Sequence, residues 1–151
     1  MKANASRTSC PLQADFPLNA GLLFLRLTGS FMLAYVHGWP KMANYASELA
    51  VIEDPFGLGP HISLWSALLA ELVCPLFIAA GILTRLACLP IIAVLLVAMF
   101  AVHPGWSIAE GQFGWLLLII FTAIALCGPG RWRLQLPLSN DTYQAVRRQD
   151  T

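Results

Sequence analysis

Four long apolar runs separated by short polar breaks organise the chain: roughly Leu18–Val36, His61–Leu83, Leu86–Val102 and Phe113–Cys127. The first two reach the roughly 20 residues that a helix needs to cross a bilayer, and the last two stand at the short end of that range. Strands are a poor fit. A membrane barrel strand ends near ten residues and alternates apolar with polar positions, whereas Leu116-Leu117-Leu118-Ile119-Ile120-Phe121 does not alternate. The expected fold class is therefore all-α: an integral membrane four-helix bundle that crosses the bilayer as a multi-pass protein. The chain divides into three regions: a polar N-terminal segment over 1–17, a four-helix membrane domain over 18–135, and a polar tail over 136–151. The break at Thr84-Arg85 is so short that the second and third helices must be antiparallel neighbours.

The long break between the first two runs, His37 to Pro60, has an apolar middle over Met42–Ile52 and a turn at Phe56-Gly57-Leu58-Gly59-Pro60. This pattern predicts a short interfacial helix followed by a turn back into the membrane. Trp39, Trp65, Trp106 and Trp115 fall near helix ends on the same side, as an interfacial aromatic belt requires.

Composition supports a lipid solvent. Apolar residues make up 58% of the 151 positions and charged residues 11%, against about 25% charged in soluble domains. Mean hydropathy is +0.67. The net charge of +1 and the lack of a basic face argue against a nucleic-acid partner; the lipid bilayer is the expected one. Seven of the nine basic residues, Lys2, Arg7, Arg85, Arg131, Arg133, Arg147 and Arg148, fall on one side of this topology and only Lys41 on the other. The positive side is expected to be cytoplasmic, so both termini are placed there. No apolar stretch follows Lys2 closely and Arg26 interrupts the first run, so the first helix is expected to remain as an anchor rather than be cleaved. Cys10, Cys74, Cys88 and Cys127 form no CxxC pair and read as small packing residues.

Charges inside apolar runs carry the chemistry. Arg26 and Glu71 each sit midway along a run, and each needs a partner in hydrocarbon. Antiparallel helices would bring them to one depth, which predicts an intramembrane ion pair between Arg26 and Glu71. Small-residue stripes support close approach: Arg26, Gly29, Ser30, Leu33 and His37 on the first helix, and Ser63, Ala67, Ala70, Glu71 and Cys74 on the second. At the outer end, His37, Lys41, His103, Glu110 and Gln112 converge into a polar mouth. Arg26, His37, Lys41, Glu71 and His103 are the candidate ligand-binding residues; no catalytic residue can be assigned. Histidine beside lysine or arginine suits a quinone headgroup, which needs donors to its carbonyl oxygens and a proton source. A weaker alternative makes His37, His103 and Glu110 metal ligands, though their spacing matches no metal pattern. No haem or iron–sulfur motif is present. Pro75 and Pro90 predict loosened helical turns, and Gly128-Pro129-Gly130-Arg131 reads as a helix stop.

Taken in order, Leu25-Arg26-Leu27, His37-Gly38-Trp39-Pro40-Lys41, Ala70-Glu71-Leu72, Gly81-Ile82-Leu83-Thr84-Arg85, Val102-His103 and Gly128-Pro129-Gly130-Arg131 resemble the DoxX family of small bacterial membrane proteins over about residues 18–135. The resemblance implies a four-helix membrane bundle with both termini inside. It marks Arg26, His37, Lys41, Glu71, Arg85 and His103 as motif residues. An acidic position before the fourth helix falls on Gln112, with Glu110 two residues away. Family members are associated with membrane redox systems, including a subunit of a thiosulfate:quinone oxidoreductase, and a distant eukaryotic relative is a cargo receptor. The resemblance thus implies a quinone-linked subunit or accessory of an oxidoreductase system in a bacterial inner (plasma) membrane. A redox partner protein and a second copy of the chain are the expected protein partners. The alternative is a binding, transport or assembly module for a small anion, a metal or a lipid, without redox chemistry. Whether the chain catalyses anything itself stays open.

Overall fold

A backbone in hydrocarbon must satisfy its own hydrogen bonds, and this chain does so with helices. The structure is a computed structural model that describes the backbone of residues 11–134 and the side chains from Phe16. The helices are α1 (Pro11–Leu33), α2 (Trp39–Ala43), α3 (Tyr45–Val51), α4 (Pro60–Leu68), α5 (Cys74–Ala80), α6 (Thr84–Val97) and α7 (Gln112–Cys127). Three π-helical turns, Ala34–Gly38, Leu69–Val73 and Ala98–Val102, join or extend them. The results are three spans long and apolar enough to cross a membrane, Phe16–Ala43, Pro60–Ala80 and Thr84–Val102, and a shorter apolar helix, Gln112–Cys127. The first span packs on the second and on α7, and α6 packs on the same two neighbours from the opposite corner, which closes a four-membered bundle. Its core is built from Leu33, Ile78, Cys88, Ile91, Phe121 and Ile124. The outside is as apolar as the core: Phe24, Phe31, Leu76, Leu89, Ile119 and Leu126 are all exposed, as only lipid permits.

The elements depart from the sequence pattern in three places. The first helix begins at Pro11, inside the segment expected to be irregular, and runs on through Ala43 rather than stopping at Val36. The hairpin turns at Gly81–Leu83, and Thr84-Arg85 already belong to α6. Gly81 takes φ +78°, which glycine alone adopts at little cost, and Leu83 follows at φ +47°. The interfacial helix is α3, shorter than Met42–Ile52. The tail over 136–151, Cys10 and the residues before it lie outside the described residues.

Each π turn ends two residues before a proline: Gly38 before Pro40, Val73 before Pro75, and Val102 before Pro104. Proline has no N–H and its ring clashes with the carbonyl four residues back. The residue just before each proline instead donates five residues back: Trp39 to Ala34, Cys74 to Leu69 and His103 to Ala98. The wider turn absorbs the clash and adds a residue, which rotates the next side chains around the helix axis.

Candidate functional site

Those π turns position the polar residues. His37 and Glu71 lie within the first two, and His103 directly follows the third. The first two turns meet face to face. A Cβ added to Gly38 would stand 2.5 Å from the Glu71 carbonyl oxygen and 3.0 Å from the Leu72 Cβ, so only glycine lets the backbones come this close. Pro75 supplies no N–H to the carbonyl four residues before it, that of Glu71, and this carbonyl faces Gly38. One turn beyond Gly38, the Lys41 ammonium donates to Glu71 Oε2 at 2.5 Å. Glu71 is 8% exposed, so its charge is buried and needs that partner.

The pair borders a cavity of about 690 Å³. Its wall combines His37, Lys41, Glu71, His103 and Glu110 with an apolar body that includes Leu33, Ala67, Val94 and Leu117. Glu48 and Glu53, from α3 and the loop after it, complete the rim. Four carboxylates thus face one ammonium. Among the candidates, His37, Lys41, Glu71 and His103 share this space; Arg26 does not, and Gln112 opens α7 without lining the cavity.

The expected Arg26–Glu71 pair is corrected by the structure. Gly38 touches Glu71, and Gly38 is twelve residues from Arg26, so the two charges stand about 18 Å apart along the helix axis. The first helix runs on past Val36 to Ala43, and this late end leaves Arg26 well below the Lys41–Glu71 level. There its guanidinium donates to the carbonyls of Pro129, Ala79 (3.3 Å) and Trp132 (3.0 Å). The segment after α7 crosses beneath the bundle, with the Leu134 N–H on the Ala80 carbonyl at 3.0 Å and Phe16 against the Trp132 ring. Arg26 is 1% exposed, and it pins this strap to α1 and α5.

The metal alternative is also not assembled. His103 stacks on Trp106 with ring centroids 3.8 Å apart and planes 3° from parallel. Glu110 accepts from the Ser107 N–H at 2.8 Å and the Ser107 hydroxyl at 2.7 Å, which holds its carboxyl below the usual range. Among the described residues no group of three or more His, Cys, Asp or Glu is placed to hold a metal ion. Sequence reasoning missed Asp54. Its carboxylate accepts from the Leu58 and Gly59 N–H groups and the Ser63 hydroxyl and so fixes the turn at the cavity rim. An acidic residue four and five positions before Leu58 and Gly59 was the available signal, since Asp commonly closes such turns. His61, also missed, meets the Tyr45 hydroxyl at 3.3 Å.

These features define an all-helical membrane protein with a largely apolar cavity, polar along one wall, at one end of its bundle. The DoxX family profile matches residues 21–104, more than half of the chain, and the chain belongs to the DoxX family. Searches of curated proteins and of solved structures gave no match.

Proposed function

We propose that this DoxX protein binds a quinone or quinol headgroup in the cavity beside Lys41–Glu71, as a subunit or accessory of a redox system in a bacterial inner membrane. The observation that carries the reading is the wall itself: an apolar chamber of about 690 Å³ ending on an ammonium–carboxylate pair whose carboxylate is buried, with His37 and His103 on the same surface. Such residues fit the group. The ammonium and the imidazole N–H groups donate to carbonyl oxygens, Glu71 and the imidazoles accept protons, and the apolar body takes the start of an isoprenoid tail. Quinone supplies two-electron chemistry when bound; the electrons would come from or go to a partner protein, since the sequence carries no haem or iron–sulfur motif.

The charge balance weighs against the small-anion alternative, because four carboxylates line the wall against Lys41. A lipid or other neutral amphiphile is the second reading, supported by the same apolar body. Extraction of the purified protein in mild detergent, with mass spectrometry of the extract, separates them. A stoichiometric quinone in the wild type that is lost in Lys41→Met and in His37→Ala/His103→Ala is the expected result. A co-purifying phospholipid with no quinone would move the assignment to the second reading.

A further inference from the structure

The chamber has two kinds of apolar wall. Phe56, Trp106 and Phe113 line it and are exposed, so they flank its opening; Leu33, Ala67, Met99 and Leu117 line it and are buried, so they bound the space inside. Leu33 and Leu117 are branched, and Ala67 is a bare methyl. Met99 is unbranched and rotates about every bond of its side chain, which lets it reshape a cavity.

Met99 lies in the third π turn, four residues before His103. Its thioether rests against the start of α7, where Gly111 and Gly114 offer backbone and no side chain. A Cβ on Gly114 would stand 2.5 Å from the Met99 sulfur. A Cβ on Gly111 would overlap the Met99 methyl. Glycine inside a helix weakens it, so the needs of α7 do not account for Gly114; the methionine lying against it does. Met99, Gly111 and Gly114 all line the chamber. With the α7 backbone behind it, the thioether has the chamber in front.

We propose that Met99 sets the size of headgroup that the chamber admits, and that the Gly111–Gly114 notch holds its thioether back far enough for a ring system of two fused rings. A cavity of about 690 Å³ is of the size that takes a drug-sized molecule, so one ring or two fit while the thioether is seated. A side chain at Gly114 would push the sulfur out of the notch and into that space, and the larger ring system would be lost first. This inference rests on the quinone reading for the identity of the ligand, and on the notch for the shape of the wall.

The test titrates the full chain in mild detergent with duroquinone, which has one ring, and with menadione, which has two fused rings, followed by quenching of tryptophan emission. Gly114→Ala should weaken menadione at least about tenfold more than duroquinone, the scale of a misplaced methylene in an apolar pocket. Met99→Ala/Gly114→Ala should restore the wild-type ratio of the two affinities. A methionine that only packs would change both affinities alike, so an unchanged ratio in Gly114→Ala, or no rescue in the double variant, overturns the proposal. Ligand-free crystal structures of the wild type and Gly114→Ala separate this inference from the quinone reading. The thioether should move from the notch into the chamber. If neither quinone binds the wild type, the quinone reading fails and these structures decide alone: a thioether that stays out of the chamber in Gly114→Ala overturns the role given to Met99.

Discussion

The two ends of the bundle each hold a cation, partly exposed at one and fully buried at the other, and they do it by opposite means. Lys41 meets a carboxylate at 2.5 Å beside an open chamber. Arg26 meets the carbonyls of Ala79, Pro129 and Trp132 under a strap of chain. On the proposed reading the first arrangement is exchangeable: a ligand that donates or accepts a hydrogen bond would replace one member of the pair without dismantling a helix. The second is built in, because the acceptors belong to the backbone of α5 and of the segment after α7. A charge inside a membrane is a functional candidate by default, but these two differ. The kind of acceptor, side chain or main chain, tells a site from a clamp.

The comparison breaks if Arg26 proves dispensable. Arg26→Met removes the donor from all three carbonyls and should cost on the order of 3–5 kcal/mol, read as the largest Tm loss of any single change in the protein. Arg26→Lys should recover little of it, since an ammonium cannot reproduce the planar fork. At the other end the losses should be smaller and coupled. Lys41→Met and Glu71→Gln each remove one member of a part-buried pair and should cost roughly 1–3 kcal/mol. The double variant should lose less than the sum, by a coupling of about 1 kcal/mol or more. Additive losses would mean that the pair does not exist in solution. Arg26→Met combined with Glu71→Gln should instead be additive, because about 18 Å of helix separates the two.

Gly38→Ala sharpens the same contrast. Its Cβ would stand 2.5 Å from the Glu71 carbonyl oxygen, and backbone on backbone has no flexible end to yield. The two π turns must separate, at a cost of about 1–3 kcal/mol, and the Lys41–Glu71 pair should loosen with them. Gly105→Ala, which meets nothing within 4 Å, is the control and should shift Tm little. Ligand extracted from Gly38→Ala should fall while the strap at the other end stays ordered by hydrogen exchange. Equal exchange at both ends would show the two regions to be one cooperative unit.

Much of the fold can be read from the amino acids, because lipid makes the signal simple: long apolar runs, few charges and short breaks. The second, third and fourth helices fall within about three residues of their apolar runs. The first helix does not, because Pro11–Pro17 is polar enough to read as a loop and the residues past Val36 read as interface. Ending the helix at Val36 rather than Ala43 brought Arg26 and Glu71 to one depth and made Glu71 its natural partner. Periodicity put Arg26 and Glu71 on inward faces, and both are buried; it carried no information about their relative depth along the bundle. The mouth of His37, Lys41, His103, Glu110 and Gln112 came nearer, because helix-end residues on one side must lie close: all but Gln112 line the cavity, and Glu71, expected deeper, joins them. The π turns were hidden from periodicity and visible in the prolines: Pro40, Pro75 and Pro104 each follow one, while Pro90 lies within α6 with no π turn beside it. Proline therefore marks where a turn can widen, and packing decides whether it does.

The smallest expected effect tests whether the cavity rim is a separate, softer unit. Asp54 is held below the usual carboxylate range, first by the Gly59 N–H, with Leu58, Ser63 and Phe56 adding to it. A carboxylate whose folded-state pKa is depressed stabilises its turn fully above the unfolded value, and loses that effect as pH falls through the folded value. Acid should therefore open the Asp54–Gly59 turn while the Arg26 clamp, whose acceptors are backbone carbonyls, holds. The side chain is exposed, so the change should appear in local probes rather than in global Tm. Tryptophan emission offers one, because Trp65 lies 6.0 Å from the Tyr45 ring, beside that turn. Emission should change as pH falls below the ordinary carboxylate range, and Asp54→Asn should show the altered signal already at neutral pH, with ligand entering and leaving the cavity faster. If acid changes the Arg26 strap and this rim together, the rim does not open on its own, and the division of the molecule into a clamped end and an exchangeable end fails.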